Sequence, residues 1–314
     1  MSTEVYEHTF TVTEMPTIRV GNIRGTIEVF PGEPGQVYVK AIKYLDSGNG
    51  DRTEVSIHQN EEGHVIVETK YHEGISGWFG FFRRPSRIEY TVIVPPTCHL
   101  SVKSVSGEAQ VRGLTGEIKI GLVSGVLMVE DIHGNLKLNT VSGKVEGKRL
   151  FGPLALDSVS GRIHLSASDL PSLNASTVSG SLTLDTPLGE GPYQIKSVSG
   201  SLTLIVPEEA NCTAEVSSVS GSLHTNLPHA EKWHDSSPGR RFHRIKIGDG
   251  GPAIKLHSVS GSLRIVTENP LTPEALEERP YPAHRSPSNR MEILEKIARG
   301  ELTADEGLTL MHPS

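Results

Sequence analysis

A serine recurs in the setting Val-Ser-Gly at positions 106, 124, 142, 160, 179, 199, 220 and 260. Serine hydroxyls raise the thought of a nucleophile. The same residue in every repeat, however, is architecture and not a reaction centre. A second cluster, His229, His234 and His243, lies beside Trp233, Arg240 and Arg241. Its spacings of five and nine residues fit neither a helical HxxxH nor a tight strand pair, so it reads as a solvated insertion and no metal is assigned. The aspartates that a polysaccharide lyase or hydrolase would stack on one face, Asp131, Asp157, Asp169 and Asp185, sit at unrelated repeat offsets. The reading therefore assigns no catalytic, metal-binding or cofactor-binding residue.

The sharpest local feature is Trp78-Phe79-Gly80-Phe81-Phe82-Arg83-Arg84, bracketed by Gly74, Gly77 and Pro85 and followed by Arg87. Aromatic rings followed at once by cations suit a membrane interface, where the rings bury and the arginines meet anionic headgroups. They equally suit a protein-binding hot spot, or a cover folded back over the neighbouring strands.

The elements that must hold these residues follow from a period. Val-Ser-Gly begins at Val105, Val123, Val141, Val159, Val178, Val198, Val219 and Val259, with the first four copies 18 residues apart. That spacing marks a solenoid whose repeats stack on one another. Within the coil from Val123, apolar residues fall at Leu127, Val129, Ile132, Leu136, Leu138 and Val141, a nine-residue pattern run twice. Each half supplies a short strand with alternating side chains. Glycines at 107, 116, 125, 134, 143, 152 and 161 mark the corners, where φ > 0 is expected. The fold class is all-β, a two-faced β-solenoid over residues 98–267, with Val105, Val123 and Val141 expected along one interior line. The Val-Ser-Gly serines are expected to form a polar ladder at the corner, each hydroxyl bonding a neighbouring backbone group. Apolar positions recurring in nines disfavour a hexapeptide helix. Glycines followed by no regular acid disfavour a calcium repeat, and mixed outward pairs such as Glu108/Gln110 and Lys144/Glu146 disfavour an ice-binding face.

Residues 1–97 read as about six alternating strands in meander order, an antiparallel cap over an otherwise open sheet edge. Residues 268–289 are a Pro-rich linker. Residues 290–314 read as a short helical hairpin with Ile293, Leu294, Ile297, Leu302 and Leu308 on its docking face. Such a hairpin is too small to be stable alone, which leaves self-association through it open. The net charge of -7 and the lack of a basic block argue against nucleic acid as a partner. Cys98 and Cys212 have no metal spacing and read as unpaired thiols of a reducing compartment. MSTEVYEHTF has neither a basic nor an apolar leader region, so the cytoplasm is the expected location, extended to the membrane periphery by the aromatic loop.

The SVSGxLxL repeats, the opening VGNIRGTIEV, the approach Tyr90-Thr-Val-Ile-Val-Pro-Pro and the closing HSVSGSLRI together resemble the bacterial putative-adhesin domain family of unknown function, the YvlB/LiaG-like proteins, over residues 10–266. The tail MEILEKIARGELTADEGLTLM resembles a SHOCT-like helical module. The resemblance implies a β-solenoid, a bacterial source and a link to cell-envelope stress, and it carries no catalytic residues. The function expected is that of a non-enzymatic scaffold, adhesin-like, that binds protein partners without a cofactor.

Overall fold

The computed structural model describes residues 2–48, 50–72, 85–207, 209–227, 230–237 and 240–267, with no side-chain description for 235–241. The expected linker and helical hairpin, with Ile293, Leu294, Ile297, Leu302 and Leu308, lie outside the described residues, as does Trp78–Arg84. Among the described residues the protein is all-β. Its strands are β1 (Thr3–Thr11), β2 (Thr17–Pro31), β3 (Gln36–Tyr44), β4 (Thr53–Gln59), β5 (Val65–Tyr71), β6 (Arg87–Val94), β7 (His99–Phe151) and β8 (Leu154–Ser166). The chain continues through β9 (Leu173–Thr177), β10 (Ser181–Asp185), β11 (Tyr193–Ser197), β12 (Ser201–Ile205), β13 (Cys212–Ser218) and β14 (Ser222–Thr225). It closes with β15 (Ala230–Ser237), β16 (Arg240–Ile247), β17 (Ala253–Ser258) and β18 (Ser262–Val266).

The rungs from Val105 onward follow one recipe. A first strand alternates inward and outward, Val-Ser-Gly turns the corner, and a second strand returns along the opposite face. Parallel pairing in register stacks the rungs: Leu136 on Leu154, Gly143 on Gly161, Leu182 on Leu202. Leu127, Val129, Ile132, Leu138, Ile163, Leu165, Leu184 and Leu204 are each at most 2 % exposed. They make the interior column that period-2 burial of two facing sheets requires.

The glycines are required by the stacking itself. A Cβ on Gly125, whose φ is +127°, would lie 1.8 Å from the carbonyl oxygen of Gly107 on the rung below. Gly143 and Gly161 do not adopt the expected left-handed φ. They are glycines because a Cβ there would still come within 2.8 Å of the carbonyl of the rung beneath.

Both ends depart from a simple spiral. Residues 17–31, expected within an antiparallel cap, form a rung: β2 runs parallel to β7 with Ile18 on Leu100, Gly25 on Gly107 and Val29 on Val111. On its other side β2 pairs in parallel with β5 and β6, which together form the rung before it. The antiparallel cap is present around this core, as β1 on β3, β3 on β6 and β4 on β5. At the far end the last repeat in sequence is not the last in space. Strands β17 and β18 slot between the rung of Val198 and the rung of Val219, pairing with β11 and β12 on one side and β13 and β14 on the other. The 40-residue interval is therefore the antiparallel hairpin of β15 and β16 along β13, followed by a return over the start of β13. At that crossing the Asp249 amide donates to the Asn211 side chain at 2.9 Å.

Candidate functional site

The serine ladder forms as expected on several rungs. The Ser124 hydroxyl donates to the Val105 carbonyl at 3.1 Å, and Ser199, Ser220 and Ser260 donate likewise to Val178, Val259 and Val198. These bonds tie corner to corner along the stacked rungs.

The valines overturn the expectation made for them. They stand in line, but outside: Val105 is 47 % exposed, Val123 45 %, Val141 46 % and Val159 47 %, and Val178, Val198, Val219 and Val259 match them. The inward position belongs to the residue just before each valine. Ser104, Leu122, Thr140, Ser158 and Ser218 are buried, because they continue the alternation Leu136-x-Leu138-x-Thr140 and adjacent strand residues point to opposite sides. On later rungs that inward hydroxyl closes the corner. Ser197 accepts the Gly200 amide at 2.7 Å, Ser218 the Gly221 amide at 2.9 Å and Ser258 the Gly261 amide at 2.5 Å. In the rung of β2 the same place is taken by buried Asn22, which donates to the Ile88 carbonyl and accepts the Thr69 hydroxyl. Thr69 in turn meets the Tyr90 hydroxyl at 2.8 Å, and burial pushes the Tyr90 phenol up to about 12. Ile23 then stands where the other rungs carry valine, since Asn22 pairs with Ser104 and Arg24 with Ser106.

The result is a straight apolar crest with an open groove of about 780 Å³ along its side, reaching from Asn22 and Thr69 to Ser176 and Val178. Glu68, Lys103, Asn139 and Asp157 edge the groove. Beyond the crest, on the opposite face, a polar groove of about 460 Å³ is lined by serines and Arg162. A row of identical half-exposed apolar side chains makes a larger contiguous apolar patch than scattered surface residues do.

The other candidates separate. His234 and His243 are brought together across β15 and β16, their Nδ1 atoms 2.7 Å apart, while His229 lies outside the described residues. Among the described residues no three His, Cys, Asp or Glu side chains gather to hold a metal ion. Asp131 sits at the opposite corner near Arg149, Asp157 accepts the Ser176 hydroxyl and Asp185 accepts the Ala167 amide. Cys98 and Cys212 are free and buried, and burial raises their thiols to about 12 and about 11. No helix among the described residues is long and apolar enough to cross a membrane.

A two-faced β-solenoid with antiparallel caps and a lateral apolar crest is the class of protein that this fold and surface define. The chain belongs to the Toastrack DUF4097 family, whose model matches residues 17–266. No curated protein sequence matches it. Among solved structures it is similar to a putative adhesin from Bacteroides fragilis, with 14% identity, 83% of this chain and 97% of that chain covered, and a TM-score of 0.48. A putative adhesin from Parabacteroides merdae is similar at 12% identity, 83% and 96% coverage and a TM-score of 0.43. A putative lipid binding protein from Parabacteroides distasonis is similar at 12% identity, the same coverages and a TM-score of 0.41. Likeness at this level carries no functional argument.

Proposed function

We propose that the protein is a non-enzymatic, adhesin-like binding scaffold whose contact surface is the valine crest. The observation that carries this reading is the crest itself. Eight valines, each about half exposed, repeat along one edge, where each could have been a polar residue at no cost to the core. The rod holds them at the rung spacing of about 4.8 Å, so recognition is multivalent along a line. In the finer reading the protein belongs with the YvlB/LiaG-like group and a bacterial envelope-stress response. It works in the cytoplasm near the membrane, and residues 290–314 act as a SHOCT-like tether. The test is a photo-crosslinker, p-benzoylphenylalanine, in place of Val141, with a control at Lys137 on the flat face. The crest position yields a macromolecular adduct in cells and the control does not. Absence of any adduct from position 141 removes the reading.

A second reading is favoured by one register. The rung of β5 and β6 pairs Glu68 with Gly21 and Ile88 with Gly25. The chain therefore leaves the described rod after His72 and rejoins it at Pro85 where other rungs carry Val-Ser-Gly. Residues Trp78, Phe79, Phe81, Phe82, Arg83 and Arg84 fall in sequence between those two points and outside the described residues; rings followed by cations suit attachment to an anionic membrane. Liposome flotation tests it: the wild type floats and the triple variant Trp78→Ser/Phe81→Ser/Phe82→Ser does not. Equal flotation of the two discards it.

A further inference from the structure

We propose, building on the reading of the crest as a contact surface, that its partner is a second copy of this chain, packed antiparallel about a two-fold axis between Val123 and Val141. Three observations meet on this arrangement. The first is extent. A half-exposed valine leaves roughly 60–70 Å² of apolar surface, so the five whose rungs meet an apolar counterpart across this axis, Val105, Val123, Val141, Val159 and Val178, leave about 330 Å². The residues edging the crest bring this toward the roughly 800 Å² per partner of an ordinary specific interface. The second is period. The crest repeats one side chain at every rung, and the surface that matches such a comb along its length is another comb of the same pitch.

The third observation is charge. Lys103 and Asp157 stand two residues before their valines on one face, and Glu108 and Arg162 three residues after theirs on the other. All four are exposed. No ion pair is formed by Lys103, Glu108, Asp157 or Arg162 among the described residues, whereas Lys119, Lys144 and Arg149 on the rungs between them are paired with Glu117, Glu146 and Glu130. An axis between Val123 and Val141 exchanges the rung of Val105 with the rung of Val159. Lys103 then faces the partner's Asp157, and Glu108 faces the partner's Arg162. The same operation sets Glu68 against the partner's Lys196. Each of these charges meets its opposite, which fixes the register. The axis also falls near the middle of the groove, whose lining runs from Asn22 to Val178.

The test is the mass of the full chain by light scattering and sedimentation over a concentration series. Wild type gives a species of twice 34.0 kDa. Val123→Asp and Val141→Asp each weaken the dimer at least tenfold, with circular dichroism unchanged. Lys103→Glu and Asp157→Lys, both exposed and safe for folding, each weaken it, and the double variant restores it, because the swapped charges face each other again. A parallel arrangement would instead set the carboxylate introduced by Lys103→Glu against the partner's Glu108, so failure of the double variant to recover overturns the antiparallel dimer. A wild-type monomer throughout the series, or a dimer untouched by the valine variants, overturns the proposal outright. The photo-crosslinker at 141 separates this failure from that of the contact surface itself. An adduct to a different macromolecule from a monomeric protein keeps the surface and rejects the second copy, whereas no adduct rejects both.

Discussion

At the scale of single residues, two kinds of position are held by the rungs around them. Gly125 is one: a methyl group there meets the Gly107 carbonyl at 1.8 Å in a backbone with φ +127°, while a Cβ on Gly121 finds nothing nearer than 3.9 Å. Gly125→Ala is expected to cost about 3 kcal/mol and to lower the melting midpoint by about 6–12 °C. Gly121→Ala should stay close to wild type in the same calorimetric scan. The buried thiols are the other kind. Because burial raises Cys98 to about 12 from 9.0, the folded state keeps its proton after the unfolded chain has lost it. The linked stability is therefore intact below pH 9 and falls as pH rises toward 12. Native protein should resist alkylation of both cysteines at about pH 8–9, whereas denatured protein labels fully, by mass spectrometry.

At the scale of elements, much of the architecture is legible in the chain, and the errors have physical causes. The spacing of Leu127, Val129, Leu136 and Leu138 gives the facing strands directly, since every one is buried. The valines mislead because hydrophobicity alone marks them as interior. The alternation through Leu136, Leu138 and Thr140 already places the hydroxyl inside and Val141 outside, and that parity was the available signal for the crest. The rung of β2 is hidden because Asn22-Ile23-Arg24-Gly25 replaces the usual tetrapeptide. Only its register on Ser104–Gly107 reveals it. Polar side chains tie the connections between rungs. Tyr193 bridges one of them, accepting the Gly189 amide at 2.7 Å and donating to the Leu170 carbonyl at 2.6 Å. Tyr193→Phe leaves both backbone groups without this partner and should destabilise by about 1–3 kcal/mol, read from urea denaturation midpoints.

At the scale of the whole solenoid, the exchange of order at its ends governs how the rod comes apart. In ordinary repeat arrays the last units fray first. Here the final strands of the described chain, β17 and β18, are interior rungs with partners on both sides, and the end rung is that of β13 and β14, where β16 covers β13 and β14 pairs with β18 alone among the described residues. Hydrogen exchange should therefore be slower at Leu263–Ile265 than at Leu223–Thr225, although the former lie nearer the C-terminus. Equal or faster exchange at 263–265 would contradict the topology. The threading has a consequence for birth as well as for death. A ribosome delivers residues 212–225 before the layer beneath them exists, so that layer must be held open or laid down provisionally until 253–266 emerge. The rod is thus completed only as synthesis passes those residues, and a nascent chain halted at about residue 250 would expose raw sheet to whatever binds unfinished polypeptide.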